Sequence, residues 1–227
     1  ESFLDGPEVS LFCLVDGETV VPLIPAQDHK RVGDNDTGPN TGGMGAYTPL
    51  PWLPDEVTSQ IVDDVVKPVA AELVRRGTPF SGLLYAGLAI GKDGPAVVEF
   101  NCRFGDPETQ VVLPTMDGDL GLYLEAVADG WLDRLPVPAV DGFAVGVGMA
   151  SAGYPGDYPK GRPISGLDEA AALDDVLGAL DAEEMQGCIL VVHSYAGMLG
   201  TAVADRRPGQ IAHVVYVDAV LPAPGES

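Results

Sequence analysis

The sequence predicts an α+β protein built on an antiparallel sheet and followed by a short α/β segment of strand, helix and strand. Three observations predict it. Residues 9–15 and 19–24 are apolar runs joined at Asp16-Gly17, and residues 81–90 and 96–100 are joined at Lys92-Asp93-Gly94, so each pair reads as an antiparallel hairpin. Between the hairpins, Val57, Ile61, Val65, Val69 and Leu73 recur at helical spacing. Near the end, 187–192 and 211–217 are continuous apolar runs, the pattern of buried parallel strands.

The remaining elements follow in order. The segment 27–52 is polar, and its Gly, Asp and Asn content argues against a helix or a central strand. Pro54-Asp55-Glu56 opens the helix that closes near Gly77. Residues 107–113 and 119–128 read as helices, and 143–150 as a strand entering a Gly/Pro/Tyr loop over 153–163. The character changes after about residue 168: an Ala/Leu/Asp/Glu helix over 168–185 precedes the first apolar strand, and a helix over 195–207 separates the two. No internal repeat or low-complexity linker marks the seam.

At 227 residues and 46% hydrophobic content, the chain can form one large or two modest domains. No apolar run is long enough to span a bilayer and no secretory signal is visible, which predicts a cytoplasmic protein and no membrane partner. The first residue is Glu1 rather than Met. Either a leader has been removed or the chain is a piece of something longer. Thirty-four acidic and 12 basic residues give a formal net charge of −22, which disfavours nucleic acid and anionic membranes. Solubility alone accounts equally well for such acidity. The cations His29-Lys30-Arg31 and Arg103 gain weight by contrast, since an anionic substrate needs a local positive pocket. Cys13, Cys102 and Cys188 lack metal-ligand spacing and read as reduced thiols, with no zinc site.

The stretch 98–108, Val-Glu-Phe-Asn-Cys-Arg-Phe-Gly-Asp-Pro-Glu, follows the apolar run 95–98 and reads as the end of a buried strand entering a loop. Period-two alternation puts Glu99 and Asn101 on one face, with Arg103 next along it and Cys102 turned into packing. A carboxylate and an amide oxygen so spaced can share one hard cation, and the guanidinium can grip a carboxylate or phosphate. The same residues also suit an edge strand with solvated side chains. Upstream, 27–47 joins the basic triplet to Gly42, Gly43 and Gly45, which permit close backbone approach to an anion, or simply make a surface turn.

Together these segments resemble the phosphoribosylamine–glycine ligase (glycinamide ribonucleotide synthetase) family of ATP-grasp enzymes. The resemblance includes Phe3-Leu4-Asp5-Gly6, the 27–47 segment, Leu84-Tyr85-Ala86-Gly87-Leu88, 99–108 and Gly153-Tyr154-Pro155-Gly156-Asp157-Tyr158, and covers roughly residues 1–170. It implies the second lobe of an ATP-grasp fold over 1–135 and the start of the ligase carboxy-terminal domain over 136–170. It implies an enzyme of purine synthesis in which ATP phosphorylates glycine and the amine of 5-phosphoribosylamine attacks the glycyl phosphate, giving an amide, ADP and phosphate. Glu1, Ser2, Leu4 and Glu8 would meet ATP, with Glu8 on the ribose. Glu99 and Asn101 would hold Mg²⁺ (or Mn²⁺). Arg103, Lys30 and Arg31 would serve catalysis, Arg103 orienting glycine carboxylate or γ-phosphate. Asp28, Asn40, Thr41, Gly42 and Gly43 would line the substrate side. Asp106 and Glu108 would orient an amine or Arg103, or cap the helix at Pro107. A third acidic metal ligand common among ATP-grasp proteins is replaced here by Ala86 and Gly87, as in the resembled family. The family's amino-terminal half, with its phosphate loop, would precede Glu1, so the chain reads as an incomplete enzyme needing that half.

After about residue 170 the resemblance stops. Over 171–227, the run Leu190-Val191-Val192-His193-Ser194-Tyr195-Ala196-Gly197-Met198 resembles the nucleophile elbow of α/β-hydrolases, with Ser194 as the alternative nucleophile. Val192 and Ala196 stand where that motif has glycines. After Ser194 the only histidine is His213, inside an expected strand, so no triad can be assigned. The readings carried forward are a ligase fragment, a serine hydrolase fragment and a non-catalytic remnant. Natural fusion, deletion and sequence assembly error each produce such a chain.

Overall fold

The structure is a computed structural model that describes residues 3–33, 36–148, 150–151, 153–158, 177, 186–193 and 196–217. Its strands are β1 (Glu8–Asp16), β2 (Thr19–Pro22), β3 (Gln27–Asp28), β4 (Arg31–Gly33), β5 (Thr37–Asn40), β6 (Gly45–Thr48), β7 (Ser81–Gly91), β8 (Gly94–Asn101), β9 (Met116–Asp117), β10 (Ala139–Val140), β11 (Phe143–Val147), β12 (Cys188–His193) and β13 (Ile211–Val217). The helices are α1 (Asp55–Ile61), α2 (Lys67–Arg75), α3 (Thr109–Thr115), α4 (Leu120–Asp129) and α5 (Ala196–Arg206). The chain divides into two compact units. The first comprises Glu1–Gln27, Thr48–Gly105 and Met116–Asp141; the second comprises Asp28–Tyr47, Asp106–Thr115 and Gly142–Ser227.

The first unit is built on a four-stranded sheet ordered β2-β1-β7-β8, every pair antiparallel. Both expected hairpins are present. Asp16 pairs with Thr19 across a turn where Gly17 has φ +60°, and Gly91 pairs with Gly94. One face of the sheet offers Leu11, Cys13, Val15, Leu84, Ala86 and Leu88 to Ile61, Val62, Val66 and Ala70. Burial of this kind, at about 25 cal/mol per Å² of apolar surface, is what holds helices to a sheet.

The long helix departs from its expected stripe. A π-helical turn, Val62–Val66, separates α1 from α2. Its extra residue moves the buried positions to 61, 62, 66 and 70, leaving Val65, Val69 and Leu73 half-buried. The wide turn lies just ahead of Pro68, which has no N–H to donate and whose ring crowds the carbonyl four residues back. Helix α4 is capped as its sequence suggests. Asp119 accepts from the N–H groups of Gly121 (2.8 Å) and Leu122 (3.4 Å), and Gly130 closes the helix at φ +76°.

The expectation of a buried strand before Glu99 is corrected. Strand β8 is the edge of its sheet, and Val97, Val98 and Phe100 are 38%, 47% and 38% exposed. A bulge also interrupts it: Gly87 pairs with Glu99, but Leu88 pairs with Val97, so Val98 is the extra residue.

The second unit contains a five-stranded sheet ordered β13-β12-β11-β6-β3. β11 pairs with β12 and β12 with β13 in parallel, with α5 between the last two, as the apolar runs predict. Leu177, Cys188, Leu190, Val203 and Ile211 form the core against Tyr47, Phe143, Val145, Val147, Ala204 and Val214. Of the helix expected over 168–185, only Leu177 lies within the described residues, and it is helical and buried.

The 27–47 segment holds more strand than its polarity suggests. β4 and β5 form a ribbon in which Arg31 faces Asn40. β6 is an interior strand: a Cβ on Gly45 would lie 2.3 Å from the Gly146 carbonyl oxygen. Glycine there admits a neighbouring backbone that any side chain would push away. Among the described residues, no helix is long and apolar enough to cross a membrane.

Candidate functional site

The polar face of the first unit's sheet gathers several of the expected residues. Glu8 pairs with Ala89 and Ser10 with Gly87, and Gly87 pairs on its other side with Glu99, while Tyr85 pairs with Asn101. Directly paired residues point to the same side, so Glu8, Ser10, Tyr85, Glu99 and Asn101 share one face, opposite the helix-covered core. The Asn101 amide nitrogen donates to Glu99 Oε1 at 3.0 Å. The two side chains therefore meet on that face, the co-facial placement that alternation predicts for this pair. A Cβ on Gly87 would fall 3.4 Å from Glu99 Cγ and 3.0 Å from Tyr85 Oη, so the absent side chain leaves room for Glu99 to lie over β7.

On the same face, Ser10 Oγ and Tyr85 Oη are 3.2 Å apart and buried, and the Phe12 ring packs on Tyr85 (5.2 Å) and Phe104 (6.0 Å). The sequence reading assigned Ser10 and Phe12 no role, and it held Tyr85 and Phe104 only inside longer motifs; they pack beside Glu99 and Asn101. Phe12 was legible only as one more apolar residue in a strand.

Strand alternation does not extend to Arg103. The strand ends at Asn101, and Arg103 lies in a bend where its Nη1 donates to the Phe104 carbonyl oxygen at 2.9 Å. No carboxylate among the described residues is paired with it in an ion pair. Cys102 is exposed rather than packed, because alternation lapses where the strand stops. At the other end of the sheet, Phe3, Leu4, Asp5 and Gly6 line a cleft of about 350 Å³ with residues 90–94 and Ala96. Glu1, Ser2 and Ser194 lie outside the described residues.

In the second unit, the basic triplet and the glycines form one hydrogen-bonded structure. The Lys30 carbonyl oxygen accepts from the Thr41 N–H (2.7 Å) and the Thr41 hydroxyl (2.9 Å). The Gly43 N–H donates to Thr41 Oγ1 (3.0 Å), and the Met44 N–H to the His29 carbonyl oxygen (2.7 Å). The Gly42 N–H donates to Tyr154 Oη at 3.3 Å. Arg31 Nη1 donates to the Gly38 carbonyl oxygen at 2.6 Å, closing the β4–β5 ribbon. Asp28 lies in β3 and is half-buried; Asn40 is exposed at the end of β5. His29 stacks on Tyr47 with ring centroids 5.9 Å apart.

Gly43 (φ +127°) packs on the next segment, since a Cβ there would lie 2.4 Å from Pro107 Cδ. Asp106 Oδ1 accepts from the Gln110 side chain at 2.7 Å rather than from a helix N–H, while the buried Glu108 offers its carbonyl to the Val111 and Val112 N–H groups.

Residues 1–109 match the family described as Phosphoribosylglycinamide synthetase, ATP-grasp (A) domain. This part of the chain is similar to that ATP-grasp domain. Curated relatives named phosphoribosylamine–glycine ligase agree. That of Corynebacterium ammoniagenes is 63% identical over 180 residues, 79% of this chain and 42% of the relative. That of Mycobacterium leprae is 62% identical over 173 residues, 74% of this chain and 41% of the relative. The solved phosphoribosylamine–glycine ligase from Thermotoga maritima aligns at TM-score 0.58 and 34% identity, over 68% of this chain and 39% of that one. The α+β, ATP-grasp reading of the fold therefore holds, and the chain spans about two-fifths of the length of the relatives it matches.

Proposed function

We propose that this chain carries the metal- and substrate-handling part of a cytoplasmic ligase that joins glycine to 5-phosphoribosylamine at the expense of ATP, in purine synthesis. Its turnover requires the half that its longer relatives possess and this chain does not span. The observation that carries the proposal is the Glu99–Asn101 pair, two side chains 3.0 Å apart on the face that also holds Glu8.

The donor set suits magnesium. A carboxylate and an amide oxygen are hard ligands, and Mg²⁺ sites beside phosphates use one or two protein oxygens and leave the rest to phosphate and water. Among the described residues no cluster of three His, Cys, Asp or Glu could cage a metal. Bound there, Mg²⁺ (or Mn²⁺) neutralises phosphate charge. Glu8 accepts two hydrogen bonds from a ribose diol. The Leu4 backbone, beside its cleft, meets the adenine, and Glu1 and Ser2 are assigned to ATP with it. Arg103, Lys30 and Arg31 are assigned to anionic oxygens of glycyl phosphate or its precursors. Their role is to hold reactants in line and balance charge, since phosphoryl transfer asks little else of a protein. Asp28, Asn40, Thr41, Gly42, Gly43, Asp106 and Glu108 are assigned to the substrate side. The divisions 1–135, 136–170 and 171–227 are kept as the evolutionary parts.

A fluorescent ADP analogue titrated into the full chain with and without Mg²⁺ tests this. Magnesium-dependent binding is expected, weakened about tenfold or more in Glu99→Ala, with an unchanged unfolding midpoint because Glu99 is exposed. Equal binding by wild type and variant removes the metal assignment.

A further inference from the structure

The glycine-rich loop has no spare backbone donors between Thr41 and Met44. The four N–H groups go to the Lys30 carbonyl, Tyr154 Oη, Thr41 Oγ1 and the His29 carbonyl in turn. An anion meeting this loop cannot be held by a nest of free backbone amides. Three of the four partners belong to residues 29–41, the same stretch of chain as the loop itself. The fourth is a side chain from a distant segment.

Tyr154 is half-buried, its ring packed edge-on against Tyr158 at 5.9 Å, in the Gly153–Tyr158 turn. Its oxygen receives the Gly42 N–H, so its own proton points elsewhere. A phenol whose oxygen already accepts is polarised toward donation and selects an acceptor. Gly42 is exposed, and a Cβ placed on it would come no nearer to anything than 3.8 Å, that atom being Tyr154 Oη, so the loop is uncrowded at Gly42.

We propose that Tyr154 is a substrate-binding residue, presenting its hydroxyl proton to a phosphate monoester seated at the 41–44 loop. This deepens the substrate side of the function proposed above and rests on it. The phosphate chemistry could come from the sugar phosphate or from the nucleotide; the assignment of residues 40–43 to the substrate side in the function proposed above favours the sugar phosphate.

Ribose 5-phosphate and MgADP, titrated separately by calorimetry into the full chain and into Tyr154→Phe, test it. The variant keeps the ring and deletes only the oxygen. Ribose 5-phosphate affinity is expected to fall about tenfold, as for loss of a hydrogen bond to a charged group, while MgADP affinity is unchanged. In ¹⁵N-labelled wild type, the Gly42 amide resonance is expected to shift with ribose 5-phosphate and not with MgADP. Equal ribose 5-phosphate affinity in the two proteins overturns the proposal even if the Gly42 amide moves in the variant, since the contact is then structural only. A Gly42 amide that responds to MgADP instead assigns the hydroxyl to the nucleotide and also overturns it. A wild type that binds MgADP but not ribose 5-phosphate overturns this proposal and leaves the nucleotide reading standing; one that binds neither overturns both. Should Tyr154→Phe fail to fold, an unresponsive Gly42 amide in the wild type is sufficient refutation.

Discussion

Replacing Gly6 by Ala tests how tightly the amino-terminal segment is fitted to the sheet. Gly6 has φ +116°, a conformation L residues rarely adopt, and a Cβ would lie 2.2 Å from the Ile90 carbonyl oxygen and 2.6 Å from its carbon. The obstacle is backbone, so the two strands must part. The neighbouring bond from the Ile90 N–H to the Pro7 carbonyl oxygen, 2.9 Å, stretches first. Backbone strain of about 1–2 kcal/mol and a lost hydrogen bond of about 1 kcal/mol give about 2–3 kcal/mol in all. For a chain of this size that lowers Tm by roughly 4–12 °C. Gly17→Ala is the control. It also has positive φ (+60°), but a Cβ there meets nothing within 4 Å, so only the backbone term of about 1 kcal/mol remains. Thermal unfolding followed by circular dichroism compares the two, and ADP titration reads the cleft that residues 3–6 line. If Gly6→Ala melts no lower than Gly17→Ala, the close contact with Ile90 is wrong and the cleft it shapes is wrong with it.

Two further outcomes follow from capping and from burial. Asp119→Ala is expected to cost about 1 kcal/mol by urea unfolding, and Asp119→Asn much less, because the amide oxygen can still accept from Gly121 and Leu122. Burial pushes the Cys13 thiol from 9.0 up to about 12. The unfolded thiol ionises above pH 9 while the folded one keeps its proton, so stability is full below that pH and declines as pH rises toward 12. Between pH 8 and pH 10 the loss is about 1.4 kcal/mol, and Cys13→Val is expected to remove that part of the slope. Iodoacetamide at pH 8 should label Cys102, which is exposed, well before Cys13.

The hairpins, the helices and the parallel strands of the tail were legible because each rests on a local pattern: a turn dipeptide, a period, or an unbroken apolar run. What escaped needed a neighbour to be known. The apolar run before Glu99 looks buried, yet among the described residues β8 has no strand beyond it, and Val97, Val98 and Phe100 are exposed. Composition reports that a residue can be buried, not that something covers it. The stripe 57-61-65-69-73 failed after Ile61 because a π-helical turn shifts the register by one residue. The polar segment 27–47 hid an interior strand, since Gly45 counts as a breaker in isolation but here permits the Gly146 backbone to approach.

The candidate site divides along the same line. Glu99 and Asn101 sit two residues apart on one strand past the bulge, so alternation alone brings them together; the strand then ends, and Cys102 is exposed instead of packed. The glycines were read as places where a backbone could approach an anion; at Gly43 and Gly45 the approaching groups belong to the protein. Pro107 meets Gly43, Gly146 meets Gly45, and the intervening N–H groups are consumed by Thr41, His29 and Tyr154. A glycine-rich loop therefore marks crowding without saying by what. Once its amides are spoken for, anion recognition must pass to side chains. Arg31 already spends one guanidinium nitrogen on Gly38. Tyr154, more than a hundred residues away in sequence, was visible only inside a loop motif, with no role of its own. Its hydroxyl can gain a role only after the chain has folded back and placed it beside Gly42.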